Sequence, residues 1–105
     1  MRPYYLDYSA HMLRLWCKLR DMSTAEVINR IKTDADRESW NACSKVWPCL
    51  TEQERDVVVA VFSAKSRDTR AAVDDYAGQT ATEAKEVWHV CRSVMERVAR
   101  ERGLL

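Results

Sequence analysis

Residues 50–58 read Leu-Thr-Glu-Gln-Glu-Arg-Asp-Val-Val and contain the clearest helix start in the chain. The Thr51 hydroxyl and the Glu54 carboxylate, three residues apart, can reciprocally satisfy two amides that a helix start leaves unpaired. The apolar run that continues to Phe62 has the composition of a strand, but no nearby segment could pair with it. The sequence therefore predicts a central, mostly buried helix that begins after Thr51.

Three helices are predicted before this point. Ser9 can cap a first helix, in which apolar residues recur at helical spacing. Ser23 and Glu26 form a second capping-box pattern that opens a short helix. A third helix begins at 33–34 and stops at Pro48, whose ring removes a backbone donor. The side chains predicted to face the core are Met12, Leu15, Trp16 and Leu19 in the first helix, Val27, Ile28 and Ile31 in the second, and Trp40, Cys43, Val46 and Trp47 in the third.

Two further helices are predicted after the central one. Beyond a polar stretch at 63–68, a shorter helix ends at Gly78, which is placed to take the left-handed conformation that closes it. Thr80 or Thr82 can cap the last and longest helix, which ends at Gly103. Its predicted inward residues are Ala84, Val87, Trp88, Cys91, Met95 and Val98, and its predicted outward residues are Lys85, His89, Arg92, Glu96, Arg97 and Arg100.

The composition fits one all-α domain. Of the 105 residues, 47% are hydrophobic and 31% are charged, which suffices for a single core with a polar surface. Two glycines and two prolines are too few for the many turns of a β protein. We therefore expect a single compact domain of five to six helices over 1–105, with an N-terminal helical half at 1–50 and a helix-turn-helix-like half at 51–105.

The net charge and the lack of long apolar runs limit the functions and the cellular location that we expect. The formal net charge of +1 creates no strong overall field, so any nucleic-acid binding must depend on local charge. Neither a secretory signal nor an apolar run long enough to cross a bilayer is recognisable. We expect a cytoplasmic protein that does not associate with membranes and whose cysteines are reduced.

Metal binding and catalysis find little support in the sequence. The four cysteines are widely spaced, which favours small buried thiols over zinc ligands, and no cofactor is expected. His11 and His89 fall on predicted polar faces without a recognisable nucleophile nearby. A phosphate-binding glycine loop is missing from the sequence. We therefore expect that the protein is not an enzyme, and that its tryptophans form core rather than a ligand pocket.

The second half contains the parts of a helix-turn-helix unit. Residues 68–77 would form the supporting helix, residues 78–81 the turn, and the segment from Thr82 the recognition helix that enters a major groove. Its outer face carries cationic and hydrogen-bonding side chains suited to DNA. The candidates for base or phosphate contact are Lys85, His89 and Arg92, and the candidates for contact with backbone phosphates are Arg97, Arg100 and Arg102.

Two resemblances point in the same direction. Residues 50–58 resemble the start of region four of bacterial sigma factors, where a Leu-Thr-x-x-Glu-Arg-Glu-like segment opens the helix that precedes the helix-turn-helix. Nearly the whole chain also resembles small helical proteins of Firmicutes phages and mobile elements. The shared segments are the aromatic run Tyr4 to Tyr8, the Trp40 to Cys43 stretch, Val87-Trp88 and the end from Ala99 to Leu104. Together they imply a regulatory, transcription-associated protein whose partners are double-stranded DNA and RNA polymerase or another protein.

A second class of function stays open at this stage. Four carboxylates lie near the proposed DNA-contacting surface, and uncompensated carboxylates oppose binding to phosphates. They are Asp74, Asp75, Glu83 and Glu86. The alternative is a non-enzymatic protein-interaction module that presents a polar helix face, or the aromatic N-terminal segment, to a partner or to a second copy in a homodimer.

Overall fold

The capping box predicted at Thr51 is present. In the computed structural model, which describes residues 5–65 and 68–105, the Thr51 hydroxyl oxygen accepts a hydrogen bond from the Glu54 amide at 3.1 Å. The Thr51 amide in turn donates to the Glu54 carboxylate at 2.8 Å. The helix that begins here buries Val58 and Val61 completely or nearly so, which confirms that the apolar run is helical.

Six α-helices make up the described part of the chain, which contains no strand. They are α1 (Tyr5–Leu19), α2 (Thr24–Arg30), α3 (Asp34–Val46), α4 (Glu52–Phe62), α5 (Thr69–Thr80) and α6 (Ala84–Arg102), with a 3₁₀ turn at Trp47–Cys49 after α3. The prediction of an all-α domain of five to six helices is confirmed. Residues 1–4 and 66–67 lie outside the described residues, and with them Tyr4 of the aromatic segment and part of the polar stretch after the central helix.

The last helix lies at the centre of the fold. Helix α6 packs against α1, α3, α4 and α5, and the main core takes buried side chains from both halves of the chain, including Leu13, Val58 and Met95. The two halves therefore share one core. A smaller cluster of Leu19, Val27 and Ile31 lies beneath α2.

Three of the four tryptophans pack together. The Trp16 ring is buried, with its centroid 4.4 Å from that of Trp40 and 5.7 Å from that of Trp47. Trp40, Trp47 and Trp88 are partly buried and pack against the main core. The tryptophans thus contribute to the core as predicted, although only Trp16 is buried within it.

The junction between α3 and α4 is stabilised by a side chain from the capping-box helix. Pro48 sits in the 3₁₀ turn that follows α3, where the α-helical hydrogen-bond pattern gives way to the tighter 3₁₀ pattern. The Arg55 guanidinium donates to the carbonyls of Trp47 and Pro48, both at 3.1 Å. It also lies over the Trp47 ring, 5.8 Å from its centroid. The Trp47 carbonyl also accepts from the Leu50 amide at 3.1 Å, so Arg55 adds side-chain hydrogen bonds to a turn that the backbone already closes.

Two predictions for the N-terminal half are wrong. Ser9 does not cap α1 but lies inside it, buried, because its side chain falls on the helix face that packs into the core. Ile28 is 67% exposed rather than buried. Helix α2 is a single short helix of seven residues, and Val27 and the following Ile31 are the side chains that reach the small cluster. Ile28 is directed away from it.

Candidate nucleic-acid interface

The predicted supporting helix is α5. The Asp68 carboxylate begins it by accepting hydrogen bonds from the amides of Arg70 at 3.0 Å and Ala71 at 3.3 Å. Helix α5 buries Ala72, Val73 and Ala77 and packs against α4 and α6. Small side chains at these positions allow the three helices to approach closely.

The turn after α5 lies three residues later than predicted. Gly78 is inside the helix, and the left-handed residue is Ala81, with φ 54° and ψ 36°. The amides of Ala81 and Thr82 both donate to the Ala77 carbonyl, the latter at 3.0 Å. Glycine permits a left-handed conformation without requiring it, so the chain continues as helix through Gly78. The prediction that Gly78 closes α5 is therefore wrong, and the turn occupies residues 81–83.

Thr80 and Thr82 do not cap the last helix. The Thr80 hydroxyl donates to the Tyr76 carbonyl at 2.8 Å, and the Thr82 hydroxyl donates to the Thr80 carbonyl at 3.3 Å. Both hydroxyls are therefore engaged at the end of α5. The residue that precedes α6 is Glu83, which makes no side-chain capping bond, and the helix begins at Ala84 rather than at Thr82.

Three of the predicted DNA-contacting side chains share one exposed surface. Lys85, His89 and Arg92 are all exposed, and their spacing of four and three residues places them on one face of α6. A shallow groove of about 590 Å³ is lined by this set together with Glu83, Glu86, Trp88 and Val90. No described helix covers this face. We call it the α6 basic face.

The α6 basic face also carries opposing charge. Glu83 and Glu86 line the same groove as Lys85. The Arg92 guanidinium lies 3.3 Å from the Glu96 carboxylate, which also accepts a hydrogen bond from the Tyr5 hydroxyl at 3.1 Å. Because the side chains of Arg92 and Glu96 are 45% and 38% exposed, this pair is worth only a few tenths of a kcal/mol, roughly 0.3–0.5. A phosphate could therefore compete for Arg92.

The arginines farther along α6 have different surroundings. The Arg97 guanidinium lies 3.5 Å from the Glu54 carboxylate and donates to the Cys49 carbonyl at 3.4 Å. It thereby links α6 to the start of α4. Arg102 pairs with Glu38 at 3.1 Å and lies 5.9 Å from the centre of the Tyr8 ring. Arg100 is exposed.

The sequence does not predict that Trp88 lines this groove. The apolar stripe of α6 predicts that Trp88 belongs to the core, and it does pack there, but it also lines the groove between Lys85 and Arg92. An aromatic ring beside basic side chains is typical of surfaces that bind single-stranded nucleic acids, whose unpaired bases can stack on the ring. The same spacing is equally typical of a core residue, so the sequence alone favoured the core.

The cysteine thiols are free and mostly buried. Burial raises the pKa of Cys43 and that of Cys91, each from 9.0 to about 12, because an ionised thiolate is poorly solvated there. Burial also raises the pKa of Cys17, and Cys49 is the exposed cysteine of the chain. Within residues 5–65 and 68–105, no three potential metal ligands of the His, Cys, Asp or Glu type come together. In the same residues, no helix is long and apolar enough to cross a membrane.

Comparison of the chain with protein-family models, with curated proteins and with solved structures found no match.

Proposed function

We propose that this protein binds double-stranded DNA through the α6 basic face and acts as a transcription-associated regulator. The observation that carries the proposal is the joint exposure of Lys85, His89 and Arg92 on one face of a helix that follows a three-residue turn. A turn of this length between two helices is one feature of the helix-turn-helix units that insert their second helix into a major groove. Arg100 extends the positive charge along the helix toward the neighbouring phosphates.

The other predicted arginines play a smaller part in the proposal. Arg97 is held by Glu54 and by the Cys49 carbonyl, and Arg102 is held by Glu38, so both already have structural partners. Phosphate contact is therefore assigned to Lys85, Arg92 and Arg100. His89 is suited to a hydrogen bond with a base edge.

The salt dependence of binding tests this proposal. If three side chains each neutralise one phosphate, affinity for a fluorescein-labelled 30-base-pair duplex falls roughly 40-fold between 50 and 200 mM salt. Fluorescence anisotropy measures this loss. Lys85→Ala and Arg92→Ala should each weaken binding and reduce the slope of log affinity against log salt by about 1. The matched control is Lys18→Ala, because Lys18 is an exposed lysine on α1.

Removing a negative charge from this face should increase the affinity for DNA, whereas the variants above should lower it. Glu86 lines the same groove as Lys85, so it should repel a phosphate docked there. Glu86→Gln should therefore tighten DNA binding by about threefold at low salt, an effect that a loss of folding cannot imitate. Absence of salt-dependent binding, or equal effects of Lys85→Ala and Lys18→Ala, would contradict the proposal.

The mixture of positive and negative charges on the α6 basic face also favours a second function, which is binding to another protein. Glu83 and Glu86 beside Lys85 and Arg92 form a mixed surface of the kind that also occurs at the rim of protein interfaces. If a protein or a second copy docks here instead, Glu86→Gln should weaken that association, and DNA binding should be absent. Light scattering over a range of concentrations tests the homodimer version directly.

A further inference from the structure

A second surface, on the opposite half of the sequence, has a different chemistry. Helix α2 and the start of α3 border an open groove of about 440 Å³. Its apolar lining comes from Met22, Val27, Ile28, Ile31 and Trp40. We call this surface the α2 groove, and none of the residues of the α6 basic face contributes to it.

The α2 groove exposes more apolar surface than folding requires. Ile28 is 67% exposed and is one of two large hydrophobic side chains exposed in the described part of the chain, the other being Leu105. Trp40, which packs on Trp16, is also only partly buried and lines the groove. Exposed apolar groups that line one continuous groove are typical of a site that another molecule covers.

Helix α2 is attached to the rest of the fold through few contacts. It packs less extensively against its neighbours than any other helix does. Val27 is its single buried residue, and with Ile31 it rests on the small cluster that is separate from the main core. An element with few buried contacts has low local stability, so an occupant of the groove would complete its packing.

The charges at the groove select the kind of occupant. Arg20 and Arg37 line it, whereas no carboxylate does. The carboxylates near them, on Asp21 at 3.9 Å and Asp34 at 3.4 Å, belong to side chains that are 84% and 94% exposed. Such exposed pairs are weak and are readily exchanged for a carboxylate of a partner. Arg20 is also oriented over the Trp47 ring, 5.3 Å from its centroid.

We propose that the α2 groove binds an amphipathic helix of a partner protein whose apolar face is flanked by Asp or Glu. The apolar side chains of that helix would cover Ile28 and Trp40, and its carboxylates would pair with Arg20 and Arg37. Helix-in-groove recognition uses this combination of apolar anchors and charged flanks. A small molecule fits less well, because small-molecule sites enclose most of their ligand, whereas Ile28 stands exposed at the edge of this groove.

Two synthetic peptides test the proposal on the full chain. Both are 16-residue helices with Leu at positions i, i+3, i+4 and i+7, and their polar flanks are Glu in one and Lys in the other. We expect the Glu peptide to shift the amide signals of α2 and the Trp40 indole signal in ¹⁵N NMR spectra. The Lys peptide should bind at least about tenfold more weakly, and this preference should shrink in 0.5 M salt.

Three variants separate the groove from non-specific apolar binding. Ile28→Asp should weaken binding of the Glu peptide by about tenfold or more, since it replaces an exposed apolar anchor, at a position outside the buried core, with a carboxylate. Arg37→Glu should abolish most of the preference for the Glu peptide, because the added carboxylate offsets the remaining cation, Arg20. Leu105→Asp, at the second large hydrophobic residue that is exposed within residues 5–65 and 68–105, should leave binding unchanged.

The proposal is overturned if the Glu peptide does not bind, if both peptides bind equally well, or if the shifted signals map to the α6 basic face. Equal binding by wild type and Ile28→Asp would also overturn it. These results are independent of DNA binding, because Lys85→Ala should leave peptide binding intact.

Discussion

Gly78→Ala is expected to stabilise the protein, although the sequence pattern predicts the opposite. A glycine that closes a helix in the left-handed conformation cannot be replaced by alanine without strain. In the structure, however, Gly78 lies within α5 and is not among the residues with positive φ. A Cβ atom added at Gly78 meets no atom within 4 Å outside its own helical surroundings. The substitution therefore introduces no clash.

The size of the stabilisation expected from Gly78→Ala follows from the difference in helix propensity between glycine and alanine. Alanine restricts the unfolded chain and is favoured over glycine in a helix interior by roughly 0.5–1 kcal/mol. Gly78 lies two residues before the end of α5, at Thr80, where part of that gain is lost to fraying. We therefore expect a gain of about 0.5 kcal/mol in the free energy of unfolding, which corresponds to a rise of about 2–4 °C in Tm for a domain of this size.

Urea unfolding, monitored through tryptophan fluorescence, measures this change in the free energy of unfolding. The signal reports on tertiary structure because Trp16, Trp40 and Trp47 form one packed cluster. The matched control is the only other glycine, Gly103, which ends α6 with φ 88°. Gly103→Ala should lower the free energy of unfolding by about 1 kcal/mol, because alanine is strained in that conformation. A destabilisation of similar size in Gly78→Ala would refute the placement of Gly78 inside α5.

Two further predictions concern the capping box and the thiols. Thr51→Ala should lower the free energy of unfolding by about 1 kcal/mol, because the Glu54 amide loses its acceptor. Thr51→Ser, which keeps the hydroxyl, should retain most of the wild-type stability. Urea unfolding curves of the two variants and the wild type measure both effects. At pH 8, a thiol reagent should modify the exposed Cys49 quickly but Cys43 and Cys91 only when the fold opens, and mass spectrometry of the labelled chain identifies the order. Because the pKa of Cys43 and that of Cys91 rise from 9.0 to about 12 on folding, their neutral thiols favour the folded state below pH 9, and this contribution is lost as pH rises from 9 toward 12. Rapid labelling of all four thiols in the folded protein would contradict the burial of these side chains.

Local sequence was sufficient for helix boundaries whose signals lie within a few residues of one another. The hydroxyl of Thr51 and the carboxylate of Glu54 are three residues apart and form the predicted capping box. Pro48 follows the end of α3, and Gly103 ends α6 in the left-handed conformation. Each of these signals acts through neighbouring backbone groups, so no knowledge of the remaining fold was required.

Local sequence also predicted part of the candidate DNA-binding surface. The amphipathic pattern of α6 correctly placed Lys85, His89 and Arg92 on an exposed face, since helical periodicity separates the apolar and polar faces. It could not predict that Arg97 would be held by Glu54, because that ion pair joins residues of two helices that meet only in the folded chain.

Packing decided the remaining features. Gly78 lies within α5, and Ala81, three residues later, takes the left-handed conformation instead, although glycine is the residue that local preference favours there. Ile28 is exposed because α2 meets the fold through Val27 and Ile31, and the side of a short helix that faces the core depends on what it packs against. Capping acts over three or four residues, whereas burial and ion pairing depend on side chains far away in sequence. For that reason the sequence determined where most helices begin and end, and the tertiary structure decided which of their side chains a partner can reach.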